Sequence, residues 1–170
     1  MKQAEASFRD IYNDSYQLMT SMLQSNIPVP KAYTNIVQFI VNADMHRFFT
    51  QDTLSIHELK RLANELEKWD IQLGNEKSFK FAASERIYYE VRQIANALVP
   101  IEQLQTLNAI LETLQEMGFE PDIWKSQNLY FAMLKAAKKG KFIFPDDKWK
   151  AVFVQLGSLL KVKSEVSIQV

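Results

Sequence analysis

An all-α fold is predicted for this chain, a bundle of about seven helices joined by short connections. Three observations predict it. Apolar residues recur at three- and four-residue intervals through most of the chain. The breaks between these runs are short and carry helix-ending or helix-starting residues: Pro28, Pro30, Pro100, Gly118, Pro121, Gly140 and Pro145. Two-residue alternation appears only at Val166, Ile168 and Val170, in the last few positions. Connections this short favour antiparallel neighbours. Residues 1–165 are expected to form one helical domain, and 166–170 an extended or disordered tail.

The first helix is expected over residues 3–24, with Phe8, Ile11, Tyr12, Leu18, Met19, Met22 and Leu23 on a broad apolar face. The two prolines of Ser25–Pro30 break it, and Pro30 suits the first position of the next helix. That helix runs to about Phe48 with Tyr33, Ile36, Val37, Ile40, Val41, Met45 and Phe48 facing inward. Ser55-Ile-His-Glu58 fits a capping box flanked by Leu54 and Leu59, and Leu59, Leu62, Ala63, Leu66 and Trp69 continue the stripe. A loop with Gly74-Asn75 leads to a long helix from about Lys77 to Leu98, with Phe79, Ala83, Ile87, Val91, Ile94 and Leu98 on one face. Pro100 ends it. Residues 101–117 give the plainest pattern, Ile101, Leu104, Leu107, Leu111 and Leu114. Gly118 suits the left-handed residue of a Schellman ending, with Phe119 as its hydrophobic contact.

The clearest helix start lies in Phe119–Leu134. Asp122 is the expected N-cap, behind Pro121. Ile123, Gln127, Tyr130, Phe131, Leu134 and Ala137 recur at helical spacing, with Trp124, Asn128 and Phe131 on an adjoining stripe. Gln127 and Asn128 therefore fall at or beside the buried face, where their amides need partners. This helix stops at Lys138-Lys139-Gly140. After Phe142-Ile-Phe144, Pro145-Asp146-Asp147 opens the last helix, with Trp149, Val152, Phe153, Leu156, Leu159 and Leu160 inward and Gly157 as a close-packing point.

Composition excludes several function classes. Twenty basic and twenty acidic residues cancel, which argues against a general nucleic-acid binder. With no cysteine there is no disulfide, thiolate nucleophile or cysteine-based zinc site. The polar, mixed-charge start is not a secretory signal, and no apolar run approaches the roughly 20 residues of a membrane span. A cytoplasmic location without membrane or nucleic-acid partners is the expectation.

The candidate constellations each have a structural alternative. His46 and His57 fall on different helices, and neither Glu-x-x-His nor His-Glu-x-x-His is present, so no metal ligand and no cofactor residue is assigned. No histidine–carboxylate pair marks a catalytic residue. Asp122, Asp146 and Asp147 are explained by capping and the macrodipole. Lys135, Lys138, Lys139 and Lys141 follow an acidic stretch of Glu102, Glu112, Glu116, Glu120 and Asp122. They could dock an acidic partner, but lysines favoured at a helix C-terminus by the dipole are the preferred reading, and they could face the acidic helix there. Adjacent ring positions lie about 100° apart on a helix, so one of Tyr88 and Tyr89 is expected at a rim, and one of Phe48 and Phe49 by the same logic. Gln127 and Asn128 could line a groove, though a tie from this helix to the loop before it or to a neighbouring helix is preferred. The possible interface or substrate-contact residues are Trp124, Gln127, Asn128, Tyr88 and Tyr89.

Three segments, Asn26-Ile-Pro-Val-Pro-Lys31, Val41-Asn42-Ala-Asp44 and above all Asp122-Ile-Trp-Lys-Ser-Gln-Asn-Leu-Tyr-Phe131, resemble a helical domain of unknown function. That domain follows the catalytic region in bacterial proteins similar to glycoside hydrolase family 57, described as α-amylase- or α-mannosidase-like. The resemblance implies that catalysis belongs to an upstream barrel and that no catalytic residue is carried here. It also implies that the chain is a C-terminal piece of a longer polypeptide. The expected role is a non-catalytic accessory domain that packs against the catalytic domain of the same polypeptide, shapes its cleft and could contact polysaccharide. The alternative is a free-standing helical protein–protein interaction module.

Overall fold

The computed structural model describes residues 2–73 and 76–162. Seven α-helices fall in this range: α1 (Lys2–Gln24), α2 (Lys31–Thr50), α3 (Ile56–Lys68), α4 (Glu76–Asn96), α5 (Ile101–Glu116), α6 (Trp124–Lys138) and α7 (Asp147–Leu159). The fold is all-α, as the periodicity predicts. The Gly74-Asn75 loop and the alternating tail lie outside the described residues. The helices group into two compact units, one holding α1 to α3 and one holding α4 to α7 together with residues 52–56.

In the three-helix unit α2 supplies the core, burying Val37, Ile40, Val41, Met45, Phe48 and Phe49. Both phenylalanines are buried, which corrects the expectation of one at a rim. Phe49 packs edge-to-face on Phe48 at 5.1 Å. The expected broad apolar face of α1 is also corrected. Of its large side chains only Met19 is fully buried, while Phe8, Ile11 and Leu18 stay exposed. Polar side chains hold α1 instead. Arg9 donates to both Asp44 oxygens at 2.7 and 3.1 Å, and hydrogen bonding to that carboxylate raises the guanidinium pKa. Glu65 of α3 accepts from Tyr12, Tyr16 and the Trp69 indole at 3.0, 2.6 and 2.7 Å. Burial, reinforced by Glu65, pushes the Tyr12 phenol up.

Five helices end the same way, on a residue at positive φ. Asn26, Asp70, Gly118, Gly140 and Lys161 have φ between 49° and 68°. In each case the following N–H reaches back across the turn: Ile27 to Met22, Ile71 to Leu66, Phe119 to Leu114, Lys141 to Ala136 and Val162 to Gly157. These are Schellman endings, and they pair carbonyls that the helix cannot. Gly118 and Phe119 form theirs as the sequence predicts. At Asp70 the left-handed turn is carried by a residue with a Cβ, which strains it. Asp70→Gly is therefore expected to raise stability by about 0.5–1 kcal/mol, read as a higher urea midpoint at unchanged slope.

The four-helix unit is built on aromatic rings. Tyr130 stacks on Phe153 at 4.6 Å, and Trp149 stacks on Phe153 at 5.5 Å. The Trp149 indole donates to the Val99 carbonyl at 3.0 Å. Asp146 caps α7 by accepting from the Trp149 amide at 2.7 Å. Side chains from α5 and α6 then pair the carbonyls of α7. Gln115 donates to Leu159 at 3.1 Å and Gln127 to Leu160 at 2.8 Å. Two boundaries differ from expectation. α4 stops at Asn96, ahead of Pro100, so Leu98 leaves the inner face and is exposed. Ile123, not Asp122, is the N-cap of α6, yet the Asp122 carboxylate still accepts from the Trp124 amide at 3.0 Å.

Candidate functional site

Helices α4 and α6 each bury one face and leave large rings on the other. On α4, Phe79, Ala83, Ile87, Val91 and Ile94 go inward. That spacing turns Phe81 (69% exposed) and Tyr89 outward and leaves Tyr88 half-buried. On α6, burial of Ser126, Tyr130, Met133 and Leu134 puts Trp124, Asn128, Phe131 and Lys135 on one outward stripe, four, three and four residues apart. Trp124 is 66% exposed and Phe131 47%. The Lys135 ammonium lies 4.5 Å from the Phe131 ring centre.

Lys125 joins the two helix faces. It donates to Glu85 at 2.7 Å and lies 5.8 Å from the Tyr88 ring centre. The Glu85 hydrogen bond raises the Lys125 pKa. A cleft of ≈ 560 Å³ opens here, lined by Lys80, Phe81, Ser84 and Glu85 of α4 and by Glu120, Pro121, Asp122 and Lys125. Glu120 is held below the usual carboxylate range by its hydrogen bond from Lys161, 3.0 Å long. Arg92 faces both tyrosine rings at 5.9 and 5.8 Å. The surface therefore offers ring faces beside alternating charges, which suits stacking and hydrogen bonding to a partner.

The five residues predicted as contacts separate here. Tyr88, Tyr89, Trp124 and Asn128 lie on the outward faces of α4 and α6. Gln127 turns inward as the tie to the end of α7. The inward placement of Asn128 is corrected, because one residue further along α6 is another 100° around the axis and Asn128 is exposed. Ser126 and Tyr130 take the buried positions, and burial pushes the Tyr130 phenol up to about 12. His46 and His57 are exposed on α2 and α3, and among the described residues no three His, Asp or Glu side chains converge on a metal-sized site. Lys135, Lys138, Lys139 and Lys141 form no ion pair with α5 among the described residues. Lys135 and Lys138 stand in the last turn of α6, the C-terminal placement expected of them.

Sequence reasoning missed one polar cluster. Glu90 is 7% exposed and accepts from the Arg86 Nε at 2.9 Å and from Gln103 of α5 at 3.0 Å. Arg86 also donates to the Asp52 carbonyl at 2.9 Å. These groups border a second cleft of ≈ 380 Å³, with Thr53, Leu54, Glu102, Thr106 and Leu107. The available signal was position, since Glu90 falls three residues after Ile87, on the buried stripe. Both Glu90 oxygens are engaged, so the cluster works as a clamp between α4, α5 and residue 52.

No family model, curated protein or solved structure matches the chain.

Proposed function

We propose that this chain is a non-catalytic helical module that docks through the outward aromatic face of α4 and α6 onto the catalytic domain of a carbohydrate-active enzyme. The observation that carries the docking role is the exposure of Trp124 and Phe81 on two helices joined by Lys125. Rings of this size left in water are costly, and aromatic anchors supply most of the energy of protein interfaces. The nature of the partner rests on the resemblance of Asp122–Phe131 to the helical domain of glycoside hydrolase family 57-like proteins. In this reading the face packs against the catalytic domain and borders its substrate cleft.

An antibody raised against the chain, applied to a lysate of the source organism, tests the reading. A band several times larger than 19.8 kDa is expected, with glucan hydrolysis by that larger protein. A band near 19.8 kDa would overturn it in favour of a free-standing interaction module. In the larger protein, Trp124→Ala combined with Phe81→Ser is expected to weaken docking by about 2 kcal/mol or more. The readout is proteolytic release of the helical module, with its own melting unchanged.

A further inference from the structure

We infer that the connection between α6 and α7 is a docking surface for an anionic lipid bilayer, with Ile143 as its inserting tip and lysines around it. The inference is independent of the role assigned to the α4–α6 face. Its first observation is the geometry of Phe142-Ile143-Phe144. Phe142 packs 5.8 Å from Phe153 and 6.1 Å from Trp149. Phe144 packs 5.4 and 5.9 Å from the same two rings. With both neighbours anchored on the aromatic core, Ile143 between them is forced outward. It is 75% exposed, more than any other large apolar side chain among the described residues. Gly140, at φ 68°, fixes the turn that leads into this segment.

The second observation is charge. Lys138, Lys139 and Lys141 are all exposed within six residues of the tip, and Lys148 lies just beyond it. None of them forms an ion pair among the described residues. The macrodipole accounts for Lys135 and Lys138 in the last turn of α6, but its reach ends there, and Lys141 lies past the helix. Of the nearby carboxylates, Asp146 is committed to capping Trp149 and Asp147 sits in the first turn of α7.

An aliphatic tip among ammonium groups fits a bilayer surface better than other anionic partners. The isoleucine can enter the acyl boundary while the lysines remain at anionic headgroups. A nucleic acid would call for exposed ring faces to stack on, whereas the rings beside Ile143, Phe142 and Phe144, pack against Trp149 and Phe153. An acidic protein would use the lysines and gain little from a bare aliphatic tip. A surface-lying contact needs no membrane-spanning helix, and none of the described helices is long and apolar enough to be one.

The test is co-sedimentation of the whole chain with phosphatidylcholine vesicles, with and without 30 mol% phosphatidylglycerol, at about 50 mM salt. Binding to the anionic vesicles alone is expected. The triple variant Lys138→Gln, Lys139→Gln, Lys141→Gln should bind about 100-fold more weakly, at roughly fivefold per lysine. Ile143→Ser should bind about tenfold more weakly. Since the chain has no cysteine, Ile143→Cys can carry a single environment-sensitive fluorophore, whose emission should shift to the blue on anionic vesicles only. Absence of vesicle binding would overturn the inference, as would binding that survives the triple substitution or leaves the label unshifted. Capture by polyglutamate or DNA without a label shift would assign the lysines to an acidic macromolecule and overturn it equally. Every substituted residue is exposed, so folding, checked by circular dichroism, should be unchanged.

Discussion

Glu90→Ala is expected to lower stability by about 3 kcal/mol, because it breaks a buried ion pair by removing one of its partners. The side chains of Arg86 and Glu90 are only 11% and 9% exposed, and they meet at 2.8 Å. After the substitution the Asp52 carbonyl still accepts from Arg86, but a neutral acceptor does not replace a carboxylate. The Gln103 amide loses its acceptor at the same time. The control is Arg86→Met with Glu90→Leu, which removes both charges and keeps the volume. It should cost about 1 kcal/mol or less. Urea unfolding followed by circular dichroism distinguishes the two variants. Equal losses in both would mean that packing, not charge burial, sets the effect, and a loss under 1 kcal/mol in Glu90→Ala would mean that water already reaches the pair.

The features legible in the sequence are those decided within one turn of backbone. The left-handed ending at Gly118 and the cap at Asp146 were both readable because the residue type and the local geometry determine each other. The stripes of α3 and α5 were readable because a single apolar face leaves little choice of orientation. Features set by what a helix packs against were not legible. α1 has the apolar residues for a broad inner face, but Arg9, Tyr12 and Tyr16 find Asp44 and Glu65 on neighbouring helices and take the inward direction. Asn128 and Gln127 differ only by 100° of rotation, and the free carbonyl of Leu160, distant in sequence, selects Gln127. Glu90 falls on the buried stripe of α4, but its charge gave no reason to place it inward. Its burial follows from Gln103 and the Asp52 carbonyl, and no local pattern announces either. The α4–α6 face was half visible. One of Tyr88 and Tyr89 was readable as a rim residue and Trp124 as a contact candidate, while Phe81 and the Lys125–Glu85 bridge that joins the helices were not.

Gly157→Ala should be the most informative substitution in the four-helix unit, because its sign is opposite to the usual one. In a helix interior alanine is normally favoured over glycine by roughly 0.5–1 kcal/mol, and Gly157 lies inside α7. A Cβ there would fall 2.6 Å from Cζ and 2.8 Å from Cε1 of Tyr130, and closer still to its hydroxyl oxygen. The ring cannot easily withdraw. It is 1% exposed, stacked on Phe153, and its hydroxyl donates to the Phe153 carbonyl at 3.0 Å. A loss of about 3 kcal/mol is expected from this overpacking. Tyr130→Leu removes the obstructing atoms at its own cost, so the double variant should be more stable than the sum of the single losses by about 1–2 kcal/mol. The phenol supplies an independent readout. Burial holds its pKa at about 12, so tyrosinate absorbance for this residue should appear only above the range of exposed tyrosines. If Gly157→Ala expels the ring, that titration should fall back toward 10. Wild-type stability at Gly157→Ala, with the titration unmoved, would mean that α7 and α6 are not in the close contact that places Tyr130 against a bare backbone.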